Sequence, residues 1–150
     1  MGVLDLSGAD LSGFDALPSA WYDCVVFEVN QAEVENPDGK LPMGTEGISV
    51  RFKVDGGEHD GKSVWNRYWF APVGYEKKAQ LDGILARFLL AVGYSEEEVK
   101  SGSFEINPSD LEGRQCSVNV KRHTYDGMDR NRVQGVRPRG EVTTEGAGLL

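Results

Sequence analysis

Ile48-Ser49-Val50-Arg51-Phe52-Lys53-Val54 alternates apolar and polar residues without a break, and a period of two fits a strand with one face in a core. Ile48, Val50, Phe52 and Val54 are expected inward, and Ser49, Arg51 and Lys53 outward. The stretch Asp55-Gly56-Gly57-Glu58-His59-Asp60-Gly61 then reverses the chain, and Lys62 to Phe70 returns as a further strand. Upstream, Trp21 to Val29 is largely apolar on both faces, which predicts a central or sharply bent strand. Residues 31–46 lose periodicity and contain Asn36-Pro37-Asp38-Gly39, where proline presets φ and glycine accepts a positive φ, so a long loop is expected there.

Beyond Pro72 and Gly74 the period changes. Leu81, Ile84, Leu85, Phe88, Leu89 and Val92 form one apolar stripe, predicting a helix from about Glu76, with Gly93 as its C-terminal cap. Ser95 and Glu98 resemble a capping box for a second, short helix. Asn107-Pro108-Ser109-Asp110 reads as a turn. Arg114 to Arg122 reads as a fourth strand with Cys116, Val118 and Val120 inward. Asp126-Gly127 signals a hairpin, and Asn131 to Arg137 reads as a fifth strand, bulged near Gly135. Three strands, a helix and two strands is the element order of an OB-fold. The expected fold is therefore mainly β: a five-stranded OB-fold-like barrel over residues 21–138, with one helix between strands 3 and 4. Such barrels bind oligonucleotides or oligosaccharides on the face of strands 2 and 3. Residues 1–20 read as a flexible arm and 139–150 as a mobile tail.

The formal net charge of −8 speaks against a polyanion as partner, but the charge is unevenly placed. Residues 1–60 hold twelve acidic side chains against Lys40, Arg51 and Lys53. Residues 114–139 hold Arg114, Lys121, Arg122, Arg130, Arg132, Arg137 and Arg139 against Asp126 and Asp129, a local surplus of five positive charges. Local field decides where a phosphate backbone sits, so one basic face can hold it. The plainer reading is a solvated arginine-rich edge.

Single-strand binders need cations to track phosphates and flat rings on which bases stack. Val64-Trp65-Asn66-Arg67-Tyr68-Trp69-Phe70 carries both. If Val64 and Phe70 are core, alternation turns Trp65, Arg67 and Trp69 outward beside Arg51 and Lys53. Tryptophan is more often buried than stacked on a ligand, so at least one of Trp65 and Trp69 is expected in the core. Lys121, Arg122, Tyr125, Arg130 and Arg132 flank the predicted last hairpin, the loop that OB-folds use as a clamp, and form the second part of the candidate site.

Catalytic signatures are missing. His59 and His123 lie in no HExxH spacing, no CxxC pair is present, and Gly56-Gly57 lacks the P-loop ending. Glu58-His59-Asp60 reads as a solvated turn before it reads as a metal site. No catalytic residue, metal or cofactor is expected, and the chain is not expected to be an enzyme. Cys24 and Cys116, each within an apolar run, are expected as two buried thiols. No apolar run approaches the ~20 residues that span a bilayer, and Met1 to Asp5 lacks the basic start of a signal peptide. A cytoplasmic location is expected.

The strands Ile48 to Val54 and Gly61 to Arg67 resemble those of a phage-encoded OB-fold family of single-stranded DNA-binding proteins, long catalogued as a domain of unknown function and found near recombination genes. Leu111 to Val120 and Asn131 to Pro138 share that resemblance, which covers roughly residues 20–138. It implies binding of single-stranded DNA without strong sequence preference, in support of phage replication or recombination in a bacterial host cell. A phage recombinase or replication protein is the implied partner, and a homo-oligomer is compatible with the fold. The sparse acids Glu141 and Glu145 depart from the acidic tail of bacterial single-strand binders. The alternative from the charge pattern is a protein-binding adaptor or DNA-mimic inhibitor acting through the acidic N-terminal half.

Overall fold

The computed structural model describes residues 3–5, 7, 16–37, 39–125 and 127–140, the side chain of Tyr125 excepted. Five strands, β1 (Ala20–Glu33), β2 (Glu46–Val54), β3 (Ser63–Trp69), β4 (Gln115–Tyr125) and β5 (Met128–Arg137), form one antiparallel sheet in the order β3-β2-β1-β4-β5. The two end strands, β3 and β5, come into contact, so the sheet curls into a nearly closed barrel of the OB-fold-like kind. Helix α1 (Lys78–Ala91) follows β3, and the single turns α2 (Glu96–Val99) and α3 (Pro108–Leu111) lead into β4. Among the described residues no helix is long and apolar enough to cross a membrane.

The alternation of β2 is realised in full, with Ile48, Val50, Phe52 and Val54 buried. β1 is both central and bent, as its two apolar faces require. It pairs with β4 from Ala20 to Val25 and with β2 from Cys24 to Glu33, with a register shift between Val26 and Glu28. It also runs further than expected, which shortens the loop before β2 to residues 34–45. Cys116, Val118 and Val120 enter the core from β4. Cys24 and Cys116 sit directly opposite each other as free, fully buried thiols, and burial pushes both up to about 12.

The barrel is plugged by the C-terminal half of α1. Phe88 stacks on Tyr68 at 4.5 Å between ring centroids and meets Phe52 edge-on at 5.8 Å. Only that half of the apolar stripe is fully used, since Ile84 remains 44% exposed. Gly93, at φ 107°, ends the helix, and the Ser95–Glu98 capping box forms as expected. Asn107-Pro108 departs from the expectation of a plain turn. The Asn107 side chain accepts from the Ser109 N–H at 3.1 Å and Pro108 takes the first helical position, so the segment winds into α3.

The segments that flank the strands, before β1 and after β5, are tied to the barrel at Leu17 and Arg139. Leu17 is buried, its N–H donates to Asn131 Oδ1 at 2.8 Å, and its carbonyl accepts from Asn131 Nδ2 at 2.9 Å. Residues 16–19 of the expected arm thus belong to the folded body, and residues 1, 2, 6 and 8–15 lie outside the described residues. Arg139 bridges to Asp55 at 3.0 Å and donates to the Cys24 carbonyl at 2.6 Å. The expected tail from 141 onward lies outside the described residues.

Candidate nucleic-acid interface

The pairing registers lay the outward side chains of three strands in rows. Lys53 stands between Val25 and Ser63, Arg51 between Glu28 and Trp65, Ser49 between Asn30 and Arg67, and Gly47 between Ala32 and Trp69. The bulge in β1 adds a side chain to this face. Val26 pairs with Phe52 and Glu28 with Arg51, which leaves Phe27 as the extra residue and turns it outward.

Phe27 is 47% exposed and Trp65 55% exposed. The Lys53 ammonium lies 4.0 Å from the Phe27 centroid, and the Arg51 guanidinium lies 4.9 Å from Phe27 and 5.4 Å from Trp65. Arg51 Nε also donates to Ser63 Oγ at 2.9 Å, which fixes the guanidinium between the rings. Such contacts contribute about 0.5–1 kcal/mol at exposed sites. They hold the two rings in place with their remaining surface open.

Trp69 occupies an intermediate position. A Cβ built on Gly47 would come within 2.6 Å of the Trp69 ring, so the ring lies against a residue that has no side chain. The expectation that one of Trp65 and Trp69 is core is not met: Trp65 is exposed and Trp69 half-buried. Phe70 is corrected too. It follows the end of β3 and is 37% exposed instead of core. Arg67 is exposed on the same face as Trp65.

The β4–β5 hairpin has two faces with different charge. Lys121 stands directly opposite Arg132, and His123 opposite Arg130, all of them exposed. Val120 beside Lys121 is buried, so this face continues the outer side of the barrel. Arg122 lies on the other face. Its guanidinium pairs with Asp129 at 2.7 Å, and Thr124 Oγ1 donates to the same carboxylate at 2.7 Å. The Thr124 hydroxyl, then Arg122, hold the Asp129 carboxyl below its ordinary range. Arg122 thus braces the hairpin through Asp129, on the face opposite Lys121 and Arg132. The expected role of Tyr125 rests on a side chain outside the described residues.

One outward surface connects the two parts. Val25 pairs with Lys53 of β2 on one side and with Gln115 of β4 on the other. Trp21 continues it, half-buried, with the Arg137 guanidinium 3.7 Å from its ring centroid. A scan against models of known protein families and a search of curated proteins find no match to this chain.

Two aromatic residues of this surface escape sequence reasoning. Phe27 sits in an apolar run whose alternation assigns it no face, and only the bulge exposes it. Trp21 carries no pattern that would link it to Arg137, 116 positions away in sequence. His59, considered above as part of a turn, packs edge-on against Tyr22 at 5.8 Å.

Proposed function

We propose that the protein binds single-stranded DNA without strong sequence preference, across the outward face of β1–β3 and along the β4–β5 hairpin. The observation that carries this reading is the pair of half-exposed rings, Phe27 and Trp65, held apart by Arg51 and Lys53 and open on their outer side. Bases would stack on Trp65 and Phe27, with Trp69 offering the part of its ring not covered by Gly47. Each such stack contributes about 1–3 kcal/mol and tolerates any base, since every base has a π-face. Lys53, Arg67, Lys121, Arg130 and Arg132 would neutralise phosphates. Lys121 and Arg132 support this from the energetics of the fold, because like charges directly across a ladder repel until an anion lies between them. No catalytic step is part of this function. It fits the resemblance to phage single-strand binders and a role in replication or recombination within the bacterial cytoplasm.

The test is fluorescence anisotropy with a labelled oligo-dT and a matched duplex over a salt series. Binding to the single strand is expected to be tighter than to the duplex. Its log–log salt slope should approach about −3.5 if all five cations engage single-strand phosphates at ~0.7 each. Absence of binding at low salt, or binding indifferent to salt, would overturn the reading.

A further inference from the structure

On the helical side of the barrel a groove of about 960 Å³ opens between the β1–β2 hairpin, α1 and residues 99–108. Its floor is apolar, built from Ile48, Leu85, Leu89, Val99, Phe104 and Ile106. Its rim is acidic. Glu33, Glu35 and Glu46 stand on the hairpin side, and none of them forms an ion pair among the described residues. The two other charged groups of the lining are already matched, Asp82 by Lys78 and Lys100 by Glu96, each at 3.0 Å. Glu33 and Glu46 are moreover direct cross-strand partners, a like-charge pair that costs stability in the free protein.

Gly83 is the second observation. It lies in the interior of α1 on the groove wall, and a Cβ there would meet nothing nearer than Arg87 Nη2 at 4.0 Å. Its φ lies outside the left-handed region, so the backbone does not require glycine. A helix-interior glycine lowers stability relative to alanine. The folded chain gains nothing from it, whereas the groove gains depth. On its second edge, finally, β1 is bonded at Val26 to Gly113 and Arg114 and at Val29 to the Glu112 carboxylate, and beyond Val29 it has no strand there; Gln31, Ala32 and Glu33 of that last stretch line the groove. An extended peptide can lie along such an edge.

We propose that this groove docks an extended basic segment of a partner protein, with apolar side chains on the Leu85–Phe104 floor and lysines or arginines against Glu33, Glu35 and Glu46. The acidic rim repels phosphates, so a DNA strand would avoid the groove, which adjoins the DNA face at Ala32 and Gly47. An occupant of this kind would relieve the Glu33–Glu46 repulsion and fill the space that Gly83 leaves.

The experiment titrates the full chain with a labelled alternating valine–lysine peptide and with its valine–glutamate counterpart. Saturable binding of the basic peptide alone is expected. Gly83→Leu should abolish it while oligo-dT binding stays at its wild-type value, which shows that the barrel is intact. Glu46→Lys should weaken it by at least about tenfold, while Glu58→Lys, an equal charge change in the β2–β3 turn, should leave it nearly unchanged. Equal losses in the two charge variants would mean unspecific attraction to an acidic protein, and would overturn the proposal. So would wild-type binding by Gly83→Leu or absence of saturable binding. Self-association in sedimentation that Gly83→Leu removes would overturn it as well, by assigning the groove to a second copy.

Discussion

The outer face of the barrel and the groove beneath α1 use opposite solutions to the same problem of leaving surface open. On the outer face, the half-exposed rings of Phe27 and Trp65 are edged by the cations of Lys53 and Arg51. In the groove, Leu85 and Phe104 are recessed and the charges stand apart on the rim. Each region also places two like charges directly across a ladder, Lys121 and Arg132 in one case, Glu33 and Glu46 in the other. Rings edged with cations suit a polyanion with flat bases. A recessed apolar floor edged with carboxylates suits a basic peptide. The chain's net charge of −8 thus conceals a basic and an acidic surface.

The largest effect is expected where the two regions share support. Phe88 is fully buried, plugs the barrel against Tyr68 and Phe52, and belongs to the helix that walls the groove. Phe88→Ala should lower unfolding free energy by about 3–5 kcal/mol in urea titration and weaken both surfaces together. Retention of either one in the destabilised protein would show that it does not depend on the seating of α1.

Next come the exposed rings. Trp65→Ala and Phe27→Ala should each weaken oligo-dT binding by about 1–3 kcal/mol, roughly 5- to 150-fold. The urea midpoint should move little, because half of each ring is already in water. Loss of stability equal to the loss of binding would mean that the rings serve the fold instead of a ligand.

The groove should respond with the reverse sign. Gly83→Ala is expected to stabilise the protein by roughly 0.5–1 kcal/mol in thermal or urea unfolding, since helix propensity rises and no atom lies in the way. A destabilised Gly83→Ala protein would show that the fold itself needs glycine there, and would remove one of the three arguments for an occupant.

How much of this was legible in the sequence differs between the fold and the site. Clean alternation in Ile48–Val54 and in Cys116–Val120 located both strand faces, and Gly93 and the Ser95–Glu98 pair marked helix ends, because each of these signals is local. The order of elements pointed to an OB-fold-like barrel, which the curled sheet with β3 against β5 bears out. The site was legible only where it lies on regular strands. Arg51, Lys53, Trp65 and Arg67 follow from a period of two, but Phe27 depends on a one-residue bulge that no pattern announces. The pairing of Arg122 with Asp129 was not legible, because the register of the last hairpin, which decides its face, is a tertiary property. The groove was invisible for a similar reason. Its walls come from segments about fifty residues apart, and Leu85 and Phe104 look like ordinary core positions until the packing leaves them lining a groove.

The smallest effects test the like-charge pairs directly, and they test both regions at once. Lys121→Glu places a carboxylate opposite Arg132, and Glu46→Lys places an ammonium opposite Glu33. Each turns a repulsive cross-strand pair into an attractive one, which should raise stability by about 0.2–1 kcal/mol in urea titration. Each should also impair one ligand only: Lys121→Glu the single strand, Glu46→Lys the basic peptide. Gain of stability with loss of binding is the signature of charges retained for a partner. If either substitution leaves stability unchanged, its pair is fully screened by water and counterions, and the repulsion argument fails for that surface while the geometry of rings or groove still stands.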